Sequence, residues 1–269
     1  MENKKTENNY RKYIVLWLSQ SVSVLGSSMT GFALVLWAYG QSQSAMSVSL
    51  MSFYNYVPYI LLSLFVGGFI DRHRKKTIML AADSIAAVGS LCVLALLSAK
   101  QLCIGHIYIV NGIVGVTSAF QQPASAVATG RLVPKDKISN VSGLNSFSQN
   151  LITVFSPMLA AFFFAVGGLP LILLIDLTSF VLAFFVLLCY ISIPEQIEQK
   201  KHGSPFAGIA QGFAFLRQEK GILYIMMTMA LINFFSRLTY ENILSPMILA
   251  RSGGDSMTLG AVNAFMGIG

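Results

Sequence analysis

The apolar residues of this chain are blocked into long runs, and nothing else in the sequence limits the possible folds as much. Seven runs, roughly 13–39, 46–70, 78–99, 104–129, 141–166, 169–192 and 221–249, are followed by the start of an eighth from 257 onward. A helix of about 20 apolar residues spans the hydrocarbon core of a bilayer. Hydrophobic residues make up 55% of the 269 and charged residues 11%, against about a quarter charged in ordinary soluble domains. The expected fold is therefore an all-α polytopic membrane protein. A membrane β-barrel is excluded, because its strands alternate in polarity and run for only about ten residues.

The net charge is +7, and its distribution decides what it means. With the amino terminus placed in the cytoplasm, the inner segments hold Lys4, Lys5, Arg11, Lys12, Arg72, Arg74, Lys75, Lys76, Arg131, Lys135, Lys137, Lys200, Lys201, Arg217 and Lys220. The outer loops hold Lys100 and Arg251, and Arg237 lies within a run. So one-sided a distribution is the positive-inside signature of a cell-membrane protein with a cytoplasmic amino terminus. It removes the nucleic-acid reading that a pI of about 9.4 would otherwise invite. Cys92, Cys103 and Cys189 lie in or beside runs and read as packing residues, neither disulfides nor metal ligands. No cofactor is expected.

Three regions follow: 1–192 with six spans, a polar cytoplasmic linker over 193–220, and a further apolar region over 221–269. Within the linker, Phe206, Ile209, Phe213 and Leu216 are spaced for an amphipathic helix on the inner membrane face. The stretch 41–51 aligns with 252–262 at an offset of 211, which sets Ala45-Met46-Ser47-Val48 on Ser256-Met257-Thr258-Leu259. The third region thus reads as the incomplete start of a second six-helix unit, the parallel repeat that builds one large transporter fold. At that offset a complete second unit would end near 403 and Gly269 falls midway along a span. The expectation is a fragment or a truncated product.

The short polar stretch "GGFIDRHRKKTIML" (67–80) separates the second and third runs. It resembles the loop motif between helices 2 and 3 of the major facilitator superfamily, with Gly67, Asp71, Arg72, Lys75 and Lys76 matching and Arg74 standing where a glycine is usual. Together with "AFQQPA" (119–124) and "VPKDKISNVSGL" (133–144), it is similar to the macrolide-efflux branch of bacterial drug exporters. The resemblance implies a latch in which Asp71 meets Arg131, at the end of helix 4, and the start of helix 11. The alternative is that the loop only anchors topology. Where drug antiporters carry an arginine in helix 4, this chain has Asn111; where they carry glycines in helix 5, "ITVFSPMLAA" has Ser156, Pro157, Ala160 and Ala161.

Ionisable groups inside spans are costly and mark function by default. Asn233, Arg237 and Glu241 follow one another at i, i+4 and i+8 on the seventh span, and Arg237 and Glu241 can pair. They are candidates for proton coupling or substrate binding, as is Asp176 in the sixth span. Asn145 and Gln149 share a face of the fifth and are candidates for a cavity wall. Asp83, near the inner end of the third span, is expected to meet water or the basic loop. Gln121-Gln122-Pro123 is expected to break helix 4 near its inner end. No nucleotide loop, zinc spacing or catalytic constellation is present in the sequence, so the chain does not read as an enzyme. The expected function is proton-coupled efflux of a lipophilic, macrolide-like drug across the bilayer, by a protein that is a monomer when full length. The alternatives are a truncated non-transporting fragment, or a transporter of the same fold for another substrate such as a siderophore.

Overall fold

A computed structural model describes residues 2–193, 214–239 and 243–268. No strand occurs among the described residues. In lipid each backbone N–H and C=O must be satisfied within the chain, which a helix does locally. α1 (Glu2–Ser42), α2 (Ala45–Arg72), α3 (Lys75–Ser98) and α4 (Ile104–Leu132) follow one another through short turns. A 3-10 turn, Lys135–Lys137, leads into the helical stretch Ile138–Phe185. Gly168, at φ 65° and ψ −166°, divides that stretch into α5 (138–167) and α6 (169–185). A π turn, Val186–Tyr190, closes α6. α7 (Lys220–Thr239), α8 (Ser245–Arg251) and α9 (Ser256–Ile268) complete the described chain. The starts of α2 and α9, Ala45 and Ser256, are 211 residues apart.

Among the described residues four stretches are long and apolar enough to cross a membrane, and one of them, Ile138–Tyr190, has 53 residues, the length of two spans. α4 is long enough but less apolar, because it carries Asn111, Thr117, Gln121 and Gln122. The chain is a multi-pass, all-α membrane protein.

α1 packs along the α5–α6 stretch, α4 is flanked by α2 and α3, and α9 lies on α5. Small residues set the closest approaches. A Cβ on Gly115 of α4 would run into the carbonyl oxygen of Asn55 on α2, with the carbonyl carbon 2.9 Å away. Asn55 Nδ2 also donates to the Asn111 carbonyl at 3.2 Å. A Cβ on Gly26 of α1 would stand 2.5 Å from Ser179 Oγ and 3.2 Å from Asp176 Cα on α6. On α9, a Cβ at Gly260 would lie 2.8 Å from Ala161 Cβ. The small residues of helix 5, Ser156, Ala160 and Ala161, are buried there.

One end of the bundle is basic. Lys12 Nζ donates to Ser192 Oγ at 3.0 Å, and Lys137 Nζ stands 4.3 Å from the Tyr10 ring centroid. Lys76 Nζ reaches across from the start of α3 to the carbonyls of Leu188 and Ile191, at 2.8 and 2.7 Å. Tyr13, Ile70, Met79, Leu132 and Ile191 form the apolar cluster below this end. Met29, Ala33, Ile107, Leu169 and Leu173 fill the opposite half. At the far tip, Leu36, Tyr39 and Val48 pack with Leu249 of α8 and Leu259 of α9.

One expectation changes, and two residues of the loop motif take their places. α4 runs through Pro123 as one helix, so "QQP" does not break it; packing on both flanks holds the turn that proline weakens. Gly67 is not a close-approach point, since a Cβ there would meet nothing within 4 Å; it borders a shallow groove of about 470 Å3 with Tyr59, Ala119 and Pro123. Lys75 does not face water: it is 1% exposed, and its Nζ donates to the Asp71 carbonyl at 3.4 Å. Most of the amphipathic segment expected over 206–218 lies outside the described residues.

Candidate functional site

A cavity of about 1050 Å3 lies among α1, α3, α4, α5 and α6. Its wall extends from Gly130, Val133 and Ile138 at the basic end to Leu34 and Val93 near mid-bundle, where the second apolar cluster closes it. The wall is polar for a membrane interior, and the reason is periodicity. On α1, Trp17, Gln20, Ser21, Val24, Ser27, Ser28 and Gly31 recur at helical spacing and line the space. Asn145, Ser148, Gln149 and Ile152 do the same on α5.

Two carboxylates face this cavity. Asp83 on α3 accepts a hydrogen bond from Gln121 Nε2 at 3.0 Å, and the same nitrogen lies 3.4 Å from Gln20 Oε1. Asp83 therefore turns inward to two amides, where the sequence reading had expected water or the basic loop. A half-turn of helix rotation decides between those outcomes, and no periodicity in α3 is sharp enough to fix it. Asp176 on α6 is 4% exposed and accepts from Ser27 Oγ and Ser90 Oγ, each at 2.9 Å. Among the described lining residues these two acids are the only charged groups.

Further polar contacts tie the wall together. Tyr13 Oη donates to Asn145 Oδ1 at 3.1 Å, and Ser148 Oγ lies 2.7 Å from Ser21 Oγ. Of four buried side-chain polar atoms without a hydrogen-bond partner among the described residues, three, Trp17 Nε1, Gln20 Nε2 and Thr30 Oγ1, belong to cavity-lining residues of α1. Buried polar groups are nearly always paired, so α1 keeps unused hydrogen-bonding capacity beside the cavity. Sequence reasoning missed Trp17, Ser27, Thr30 and Ser90; their shared face on α1 was the available signal for the first three.

The structure thus brings Asp176, Asn145 and Gln149 to one cavity. Asn233 does not join them: its Nδ2 donates back to the Met229 carbonyl at 2.8 Å on an exposed face of α7. Glu241 and the side chain of Arg237 lie outside the described residues. Asp71 and Arg72 end α2, exposed at the basic tip, and Arg131 occupies the last turn of α4. No group of three or more His, Cys, Asp or Glu side chains that could hold a metal occurs among the described residues.

The sequence is similar to proteins named as exporters. Macrolide efflux protein A of Streptococcus pyogenes is 28% identical over 230 residues, which cover 84% of this chain and 56% of the relative. Macrolide efflux protein A of Enterococcus faecalis is 30% identical over 193 residues, covering 71% and 59%. Enterobactin exporter EntS of Shigella boydii serotype 18 is 24% identical over 208 residues, covering 75% and 48%. The chain spans about half the length of these curated relatives. The pattern that defines the Major Facilitator Superfamily matches residues 16–269, nearly the entire sequence, and the chain belongs to that superfamily.

Proposed function

We propose that the chain supplies the first six-helix unit (1–192), the cytoplasmic linker (193–220) and the beginning of a second unit (221–269) of a secondary active exporter. Its cargo is an amphipathic small molecule, with macrolide-like compounds foremost. The observation that carries this reading is the cavity: a polar-lined space of about 1050 Å3, reaching the basic end of a superfamily member whose relatives are named for macrolide efflux. Its two described charges are both carboxylates, which favours a cationic or neutral solute over an anionic one. The relative named as an enterobactin exporter supports a second reading, a siderophore exporter of the same fold; the acidic wall weighs against it.

The sequence contains no nucleotide-binding loop, so uphill transport draws on an ion gradient, and protons are the proposed ion. Glu241 carries the proton, with Arg237 pairing to it in one state and releasing it in another; Asn233 lies on the same helix face, and Asp176 is the next carrier in line. Asn145 and Gln149 contact the solute. Gly67, Asp71, Arg72, Lys75, Lys76 and Arg131 form the latch at the cytoplasmic end, with the amino terminus on that side of the cell membrane. The complete protein acts as a monomer.

The test is accumulation of a labelled macrolide in cells expressing a version with a complete second unit. An uncoupler should raise accumulation to the level of cells without the protein. Glu241→Gln should do the same without loss of substrate binding, and Arg237→Ala should lower expression, because it strands an acid in the membrane. Unchanged efflux under the uncoupler refutes proton coupling. Near-normal pumping by Glu241→Gln at matched expression removes Glu241 and passes its role to Asp176.

A further inference from the structure

Three helices converge on the Asp176 carboxylate. Ser27 of α1 donates to Oδ1 and Ser90 of α3 donates to Oδ2. Thr30, one turn after Ser27, faces the same carboxylate, yet its Oγ1 falls outside hydrogen-bond geometry and has no partner. The Thr30 side chain is 6% exposed. Several other helical hydroxyls in this protein fold back onto their own helix: Ser84 to the Leu80 carbonyl, Ser98 to Leu94, Thr117 to Val114 and Thr178 to Leu174. Such back-bonding is the default outlet for a hydroxyl in a helix. Thr30 forgoes it, and its oxygen stays directed at the acid.

The acid is also without a countercharge among the described residues. α1 carries no charged residue between Lys12 and Ser42, and α6 carries none besides Asp176. Past its first turn α3 carries only Asp83, which is engaged by Gln121. The groups acting on Asp176 are the hydroxyls of Ser27, Ser90 and Thr30. A buried carboxylate in this setting is either neutralised by a proton or paired with a bound cation.

The donor set identifies the partner. The groups gathered around the Asp176 carboxylate are three hydroxyls, Ser27 on Oδ1, Ser90 on Oδ2 and Thr30 beside them, with no nitrogen or sulfur among them. Hydroxyls can turn their protons away and present lone pairs, and oxygen-only shells suit hard cations. One carboxylate balances a single positive charge, which selects a monovalent ion over a divalent one. All four side chains line the cavity, so an ion has a path to the site. Gly26, with α6 packed directly on it, fixes the separation of Ser27 and Thr30 from Asp176.

We propose that Asp176, Ser27, Ser90 and Thr30 form a sodium-binding site open to the cavity, where sodium and a proton compete for one carboxylate. This goes beyond the exporter reading, and it is tested at equilibrium without transport, so either can fail alone. The purified 269-residue protein in lipid nanodiscs is equilibrated with radiolabelled sodium, with choline chloride holding ionic strength constant. Saturable retention, displaced by unlabelled sodium and not by choline, is the expected result. Retention should weaken as acid pH protonates the carboxylate. Thr30→Val and Ser90→Ala keep the carboxylate and the fold and should each weaken binding about tenfold, the effect of losing one oxygen partner of a buried charge. Asp176→Asn should abolish it. No saturable retention at any pH overturns the proposal, as does retention unchanged in both hydroxyl variants. Thermal stability that responds to pH through Asp176 but never to sodium also overturns it, leaving a proton as the only ion the site takes.

Discussion

Gly115 is where one added methyl group costs this protein most directly. Its α carbon faces the backbone of α2 at Asn55, so a Cβ has backbone, not a movable side chain, in its way. Gly115→Ala must push α2 and α4 apart, and overpacking of that kind costs about 1–3 kcal/mol. Gly112→Ala, whose Cβ would meet the Tyr54 carbonyl at an ordinary 3.7 Å, is the control. Thermal unfolding in detergent should fall clearly for the first and little for the second; equal behaviour would show that the helices are not in register at this point. Asp255 makes a different prediction. In the turn before α9 it accepts from the side chain and backbone N–H of Thr258 and from the Met257 N–H at 3.0 Å. Those bonds, the Thr258 hydroxyl first, hold its carboxyl below the usual range. A depressed carboxylate adds stability above its unfolded pKa and loses it as pH falls through the folded one. Hydrogen exchange at the first amides of α9 should therefore speed up toward acid pH, and Asp255→Ala should remove that dependence.

At the scale of elements, the break between α5 and α6 rests on Gly168, whose φ of 65° with ψ of −166° is open to glycine and costly for residues with a side chain. Gly168→Ala should destabilise the α5–α6 reversal by about 1–3 kcal/mol, read as a lower unfolding temperature, while Gly68→Ala, with open space around it, should not. That boundary was legible in "GGLP", as were the spans, because the hydropathy that places a helix in lipid is a property of the local chain. What stayed hidden depends on helix rotation and on contacts far apart in sequence. The pairing of Asp176 with Ser27 and Ser90 joins residues 149 and 86 positions apart, and nothing in any one span announces it. Lys75 follows four exposed residues, Asp71 to Arg74, and is itself buried, a difference that no local property of the stretch announces. Pro123 was read as a stop because proline weakens a helix locally, whereas α2 and α3 flank α4 along its length.

For the molecule as a whole, the cavity reaches the basic end and is closed by apolar packing at the other. In a background with Cys92, Cys103 and Cys189 replaced, Ser142→Cys on the cavity wall should react with a membrane-impermeant maleimide in inside-out vesicles and be protected in right-side-out ones. Gln101→Cys, in the turn between α3 and α4, should show the reverse. The opposite pattern would invert the orientation proposed from the charges. Lys76 gives the basic end a further property. Its one ammonium joins the hairpin between α2 and α3 to the carbonyls of Leu188 and Ile191, in and just after the π turn that closes α6. It works as a clasp between the start of the third helix and the exit of the sixth. Tension on the polypeptide beyond Ile193 is thereby borne by the α2–α3 hairpin as well as by α6, so a shift in whatever follows is felt at the one charged loop from which the superfamily resemblance was first read.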